Sequence, residues 1–167
     1  MVTLSLATLE DLDAVWALMG RTVAHMRASG NPQWGEDYPT RPLYTEDVAL
    51  GELYKAEEDG VLLGAGIITA RPEEAYEPVS WMGGEPSVAL HRLAVEPTVR
   101  RRGVGAAFFE RARQTALALG ARSLRIDTYS LNRPMQAVIL SRGYEKRGEI
   151  YFPYRPLPFY CYEKVLD

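Results

Sequence analysis

Apolar and polar positions alternate with two different periods along the chain, and the changes of period divide it into strands and helices. A period of two predicts a short strand at residues 2–6, and the helical period that follows predicts a helix from Leu12. Thr8 and Asp11 precede this helix as an approximate capping box. A second helical stretch is predicted at 21–28, where the sequence Ser-Gly-Asn-Pro then breaks the helix.

The middle of the chain predicts an antiparallel hairpin. Its strands are expected at 53–58 and 61–70, on either side of the turn residues Asp59 and Gly60. A short helix at 46–51 precedes them. Because a hairpin interrupts a repeating strand–helix–strand pattern, we expect a mixed sheet.

The second half of the chain alternates strands and helices after a polar connection that is expected on the surface. In order, we predict this connection at 71–85, a strand at 90–95, a helix at 106–119 and a strand at 123–129. A second helix follows, capped by Asn132 and ended by Gly143, and closing strands are predicted at 144–151 and 157–165.

The stretch between the strand at 90–95 and the next helix predicts a phosphate-binding loop. Gly103 and Gly105 fall where a helix still has unpaired N–H groups, and the absence of Cβ atoms permits a close approach to them. A helix N-terminus carries roughly +0.5 of a charge, and the preceding arginines add full charges. The predicted phosphate-binding residues are Arg100, Arg101, Arg102, Gly103, Val104, Gly105 and Ala106.

This stretch resembles motif A of the GNAT superfamily of N-acetyltransferases, whose signature Q/R-x-x-G-x-G/A is filled by Arg100, Gly103 and Gly105. Residues 132–144, NRPMQAVILSRGY, resemble the second motif of the family. The resemblance is close over residues 90–166 and is one of layout before them. It implies an α/β fold with a mixed sheet of about six to seven strands, flanked by helices and with splayed parallel central strands. The whole chain, 1–167, would form a single GNAT-type domain.

The resemblance also implies an N-acetyltransferase that moves the acetyl group of acetyl-CoA directly to a primary amine. The strand residues Leu93, Ala94 and Val95 would hold the pantetheine arm, and Asn132 would also contact it. A longer acyl-CoA stays open as the donor, and no metal is expected. The acceptor, a small amine or a peptide, must lose a proton, because an amine of pKa near 10.4 is neutral in only roughly one molecule in a few thousand at pH 7.

The candidate catalytic residues are His91, Asp127 and Tyr151. By strand alternation, His91 shares a face with the cofactor-facing residues that follow it, and its place resembles that of a proton-removing histidine in arylalkylamine acetyltransferases. A packed sheet histidine is the alternative. Asp127 would orient the acceptor ammonium, or it would pair with Arg92 or Arg125.

One position departs from the family pattern. The tyrosine that usually serves as the general acid is replaced by Ile139. Either another tyrosine, Tyr129 or Tyr151, supplies the proton, or no acid is needed, because a thiol of pKa about 8.5 leaves as an anion near neutral pH. The third interpretation is a non-catalytic module that only binds acyl-CoA.

Aromatic residues predict the acceptor side. The long segment 33–44 is rich in them, and in GNAT proteins the segment after the first helix borders the acceptor. Trp34, Tyr38 and Tyr44 of this segment would line an acceptor pocket, with packing of a core edge as the alternative role. The candidate substrate-binding residues are Trp34, Tyr38 and, from the strand at 123–129, Tyr129. Many GNAT relatives dimerise, so a homodimer stays open.

Composition, charge and motif spacing argue against several other classes of protein. The net charge of −3 argues against a nucleic-acid partner, and the single cysteine, Cys161, excludes an internal disulfide and fits a reducing cytosol. No signal peptide and no apolar run of about 20 residues is seen, so we expect a cytoplasmic protein without a membrane partner. Phe108 at the third glycine position of a dinucleotide-binding fingerprint argues against a dehydrogenase.

Overall fold

The computed structural model describes residues 1–99 and 103–167. The helices and strands in these ranges, in chain order, are β1 (Thr3–Leu6), α1 (Leu12–Ala28), α2 (Arg41–Ala49), β2 (Leu53–Glu58), β3 (Val61–Thr69), β4 (Ser87–Val95), α3 (Val104–Leu119), β5 (Ser123–Tyr129), α4 (Arg133–Ser141), β6 (Glu145–Ile150) and β7 (Phe159–Val165). Short 3-10 turns lie at Leu9–Asp11 and Glu74–Tyr76.

The strands form a seven-stranded sheet in the order β1-β2-β3-β4-β5-β7-β6. The pairs β1–β2, β2–β3, β5–β7 and β6–β7 are antiparallel. Helix α3 joins the neighbouring strands β4 and β5, which is the connection that parallel strands need. The predicted mixed sheet flanked by helices is therefore confirmed. The splay of its central strands stays a prediction.

The chain divides into two compact units, and the first comprises Met1–Ile68 and Leu90–Arg111. Its core forms where the apolar face of α1 meets the hairpin strands, and residues such as Val15, Leu18 and Leu53 are completely buried there. The predicted position of the turn between the hairpin strands, at Asp59 and Gly60, is confirmed.

The second unit comprises Thr69–Ala89 and Ala112–Asp167. Its core includes Tyr76 and Val79, which lie in the stretch 71–85. The prediction that this stretch is only a surface connection is therefore wrong. The buried carboxylate of Glu163 in β7 accepts the backbone N–H groups of Met82 at 2.8 Å and Gly83 at 3.0 Å, which fixes the stretch to the sheet of this unit.

Two helix predictions are also corrected. Helix α1 runs without a break from Leu12 to Ala28, so the two predicted helical stretches form one helix. Helix α2 begins at Arg41, not at 46, because Thr40 is extended and Pro42 occupies the first turn, where its missing N–H costs nothing. Residues 41–44 thus belong to a helix and not to the aromatic loop.

In the ranges that the structure describes, no helix combines the length and the apolar character that crossing a membrane requires.

Candidate active site

Strand β4 contains a residue in the left-handed region of backbone space. Arg92 has φ +46°, a conformation that costs a non-glycine residue of order 1–3 kcal/mol and that is concentrated at functional sites. Strict alternation is not kept through such a residue. The face that His91 shares with the residues after Arg92 therefore cannot be inferred from the spacing. His91 itself is partly buried.

The side chain of Arg92 is held by helix α2. Its Nη2 lies 2.7 Å from Oδ2 of Asp47, and its guanidinium carbon lies 5.0 Å from the ring centroid of Tyr44. Burial raises the pKa of Asp47, and the charge of Arg92 opposes that rise. This buried ion pair holds the strained strand residue in place.

Two glycines in β3 let α3 approach the strands closely. A Cβ atom at Gly64 would lie 2.7 Å from Cγ1 of Val104 and 3.0 Å from the carbonyl oxygen of Ala94. A Cβ atom at Gly66 would lie 3.2 Å from the ring of Phe108. The first turn of α3 therefore lies directly against β3, beside the predicted cofactor-binding part of β4. The sequence analysis missed both glycines, although glycine at alternate positions inside a strand is the signal for such an approach.

The loop glycines have different structural reasons. Gly103 has φ +78°, which favours glycine. Gly105 lies in the first turn of α3, where an added Cβ atom would meet nothing within 4 Å. Among residues 1–99 and 103–167, no contact therefore requires glycine at 105, and the absence of a side chain there fits the predicted approach of a phosphate. The predicted residues Arg100, Arg101 and Arg102 lie outside the described residues.

In the second unit, the hydroxyl of Tyr76 donates a hydrogen bond to the carboxylate of Asp127. Burial raises the pKa of Asp127 to about 6, while the hydrogen bond from Tyr76 opposes the rise and the charge of Glu73 adds to it. A carboxyl group with this pKa is suited to accept a proton near neutral pH. Sequence reasoning missed Tyr76, because no periodic pattern marks its segment.

The two arginines predicted as partners of Asp127 are engaged with other carboxylates. Arg92 pairs with Asp47, and Arg125 pairs with Glu85 at 2.8 Å. Arg125 also lies over the ring of Trp81, at 4.5 Å from its centroid.

The predicted aromatic residues differ widely in exposure. Trp34 is buried in the core of the first unit, and Tyr38 packs against the same core while partly exposed. Tyr129 is buried beside Phe159, and its hydroxyl accepts the N–H of Leu157 at 3.3 Å. These contacts support the packing alternative for Trp34 and Tyr129. Tyr151, in contrast, is 68 % exposed.

Helix α4 carries the second motif. The side-chain oxygen of Asn132 accepts the N–H of Met135 at 3.2 Å, which confirms the predicted cap. Ile139, which replaces the usual tyrosine, is fully buried and therefore packs inside the protein. In the described part of the chain, no group of three His, Cys, Asp or Glu side chains is placed to hold a metal ion.

Residues 20–144 match the acetyltransferase (GNAT) family, so the chain belongs to that family and is an enzyme that transfers acetyl groups. The predicted family membership is confirmed.

One curated protein and several solved structures are similar to the chain over most of its length. The chain is 25 % identical over 147 residues to the Bacillus subtilis (strain 168) protein named Uncharacterized N-acetyltransferase YesJ, covering 85 % of this chain and 81 % of that one. A GNAT-family acetyltransferase structure from Streptococcus agalactiae matches with a TM-score of 0.85 at 24 % identity, covering 99 % of this chain and 96 % of that chain. The structure of yncA from Salmonella typhimurium with its cofactor acetyl-CoA matches with a TM-score of 0.66 at 19 % identity, covering 99 % and 94 %.

Proposed function

We propose that the protein transfers the acetyl group of acetyl-CoA directly to a primary amine. The observation that carries the donor half of this proposal is the contact of α3 with β3 at Gly64, beside Ala94 of β4. The N–H groups at the start of α3 would bind the pyrophosphate, and the backbone of Leu93 to Val95 would hold the pantetheine arm. The family acts on amine acceptors, which supports the acceptor half.

The chemistry requires a neutral amine and a stabilised oxyanion. The amine nitrogen attacks the thioester carbonyl carbon, the C–N bond forms, and the C–S bond breaks as the thiolate leaves. Asp127, with its pKa of about 6, is ionised at neutral pH and would attract the ammonium and accept its proton. His91 is the second candidate base. A backbone N–H of β4 would stabilise the oxyanion.

Departure of the thiolate would need no tyrosine acid. Ile139 is a buried packing residue, and a thiol of pKa about 8.5 leaves as an anion near neutral pH. We place the reaction in the cytoplasm, because the single cysteine suits a reducing compartment.

The test is acetyl transfer to a panel of primary amines, with the acetylated product measured by mass spectrometry. With Asp127 as the base, kcat/KM rises through an apparent pKa near 6, and Asp127→Asn loses roughly 10²–10⁴-fold and flattens this limb of the pH profile. His91→Gln keeps the limb. If His91→Gln removes the limb and Asp127→Asn keeps it, the two roles are exchanged. If acetyl-CoA binds and no amine is acetylated, the proposed reaction is wrong, and the protein is an acyl-CoA-binding module.

A separate prediction concerns Gly105, which lies in the loop at 100–106 that is predicted to bind the phosphates of acetyl-CoA. In Gly105→Ala the new methyl group enters open space, so the free energy of unfolding should stay equal or rise by up to about 1 kcal/mol. The dissociation constant of acetyl-CoA should rise by about tenfold or more, because the methyl group stands where the phosphate approaches. Calorimetric titration measures the second effect, with Gly20→Ala in α1 as the matched control. An unchanged dissociation constant would remove Gly105 from the donor site.

A further inference from the structure

Two buried polar atoms of the first unit have no hydrogen-bond partner in the part of the chain that the structure describes. They are the hydroxyl of Tyr44 and Nη1 of Arg92. Tyr44 is 1 % exposed, and the Arg92 side chain is 12 % exposed. Buried polar atoms in native proteins are nearly always paired, so two unpaired atoms on adjacent side chains mark the place of a missing partner.

The chemistry of the two atoms limits what that partner is. A guanidinium offers only donors, and Nη2 of Arg92 is already engaged with Asp47 at 2.7 Å, which leaves Nη1. Burial raises the pKa of Tyr44, and the guanidinium of Arg92, which interacts with the hydroxyl oxygen, opposes the rise. The hydroxyl therefore stays protonated, and its own hydrogen is able to be donated. Each of the two atoms can donate a hydrogen, so a partner that satisfies both is an acceptor oxygen.

The location links this pair to the proposed reaction. Arg92 directly precedes Leu93, the first of the strand residues proposed to hold the acetyl-bearing arm. Tyr38, which sequence analysis placed on the acceptor side, interacts electrostatically with both Tyr44 and Arg92. Tyr38 is partly exposed and lies in the irregular segment before α2, so its displacement would give an oxygen access to the two donors.

We propose that Arg92 and Tyr44 form a subsite for a carbonyl or carboxylate oxygen of the acceptor. The preferred acceptors are then amino acids or peptide N-termini, and not simple alkylamines. This inference rests on the proposed amine acetylation. Because Asp47 already balances the charge of Arg92, the subsite suits a neutral amide oxygen as well as a carboxylate.

The experiment uses matched acceptor triplets with the same side chain: a free amino acid, its amide, and the decarboxylated amine. Sets built on glycine, phenylalanine, methionine and lysine vary the side chain. For the set that the enzyme accepts best, kcat/KM of an oxygen-bearing member should exceed that of the decarboxylated amine by about tenfold or more. Preference between the amino acid and its amide separates a free amino acid from a peptide N-terminus.

Variants test the two donors. Tyr44→Phe removes only the hydroxyl, and Arg92→Lys removes Nη1 while keeping a charge for Asp47, so each should reduce the preference ratio by about tenfold. Tyr162→Phe, a hydroxyl deletion at a buried tyrosine of β7, is the control and should leave the ratio unchanged. A decarboxylated amine that reacts as well as its oxygen-bearing partners overturns the proposal. So does a ratio that both variants keep.

If no amine reacts, the proposed function is wrong, and the subsite is then tested by the binding of the same compounds. Thermal unfolding is then measured with each compound at millimolar concentration. Stabilisation by the amide or the amino acid but not by the decarboxylated amine, lost in Tyr44→Phe, supports the subsite. Equal stabilisation by all three compounds, or none, overturns it.

Discussion

Asp127, which is partly buried, and Glu163, which is fully buried, are carboxyl groups of the second unit whose pKa values move in opposite directions. Burial raises the pKa of both, but Glu163 accepts hydrogen bonds from the Ser123 hydroxyl at 2.5 Å, from the N–H groups of residues 82 and 83, and from Arg147 at 3.0 Å, and these lower its pKa overall. Asp127, held by the hydroxyl of Tyr76, keeps a pKa of about 6. The number of hydrogen-bond donors around each carboxylate thus explains why the pKa of Glu163 is lowered, as suits a structural role, while that of Asp127 is raised, as suits proton transfer.

The raised pKa of Asp127 predicts a pH-dependent effect of Asp127→Asn on stability. The pKa of Asp127 in the folded protein, about 6, exceeds its ordinary value of 3.8. The protein therefore loses stability as the pH rises from about 4 to about 6, where the unfolded chain is already ionised and the folded carboxyl group still holds its proton. At pH 8 the variant should therefore be more stable than the wild type by about 2–3 kcal/mol, since one pKa unit corresponds to about 1.4 kcal/mol. At pH 4 the gain should largely vanish.

Urea denaturation at the two pH values measures this difference. Asp59→Asn, at an exposed turn residue that has φ +52°, is the control, because asparagine tolerates this conformation and the site is open to solvent. The same gain for Asp127→Asn at both pH values would contradict the raised pKa.

At the scale of elements, glycine has opposite consequences in α1 and β3. Gly20 lies in the interior of α1, where an added Cβ atom meets nothing within 4 Å, whereas the same atom at Gly64 would meet Val104 and Ala94 at 3.0 Å or less. Glycine at position 20 therefore lowers the helix propensity of α1, and no contact with the described residues requires it there. Gly64, in contrast, sets the distance between β3 and α3.

This contrast predicts opposite effects of the two alanine substitutions. Gly20→Ala should stabilise the protein by about 0.5–1 kcal/mol, because alanine is the better helix former. Gly64→Ala should destabilise it by about 1–3 kcal/mol through overpacking and should weaken acetyl-CoA binding, because α3 must shift. Denaturation and calorimetric titration measure the two quantities. A Gly64→Ala protein of wild-type stability and affinity would show that α3 does not depend on this contact.

Elements with a clear period were predictable from the sequence. The predicted bounds of β2 and β5 agree with the structure, because each has turn residues at its ends. The start of α2 was not predictable from period alone, since Pro42 indicates a break inside a helix but is favourable in its first turn. The predicted division of α1 into two stretches was likewise wrong, because its buried face continues from Met19 to Thr22.

The candidate site was predictable only where a motif fixes it. The helix cap at Asn132 follows from its motif. The binding of acetyl-CoA by the loop at 100–106 stays a prediction. The contacts of Tyr76 with Asp127 and of Asp47 with Arg92 join residues about 50 positions apart, and no local pattern reveals such pairs. The left-handed backbone of Arg92 is likewise invisible in a strand pattern.

At the scale of the whole molecule, strand β4 belongs to both compact units. Residues 87–89 fall in the second unit and residues 90–95 in the first. Each unit is also assembled from two separate stretches of the chain. One unit therefore cannot lose its part of β4 without disturbing the same strand in the other, and we predict that 1–167 unfolds as a single domain.

Tryptophan fluorescence tests this prediction, because Trp16 and Trp34 lie in the first unit and Trp81 in the second. Trp81→Phe leaves probes in the first unit only, and the double variant Trp16→Phe, Trp34→Phe leaves a probe in the second only. In each variant the urea transition seen by fluorescence should coincide with that seen by far-UV circular dichroism. Separate transitions in either variant would indicate two independent domains.

The burial of Cys161 also decides how the enzyme can be assayed. This residue, the one cysteine of the chain, is fully buried in β7, and burial raises the pKa of its thiol, with the charge of Asp127 adding to the rise. Disulfide reagents such as Ellman's reagent react with exposed thiolates, so the folded enzyme should contribute no colour. The CoA released at each turnover can then be measured continuously, because the enzyme adds no background signal. Slow labelling of Cys161 would in turn measure how often the folded protein opens.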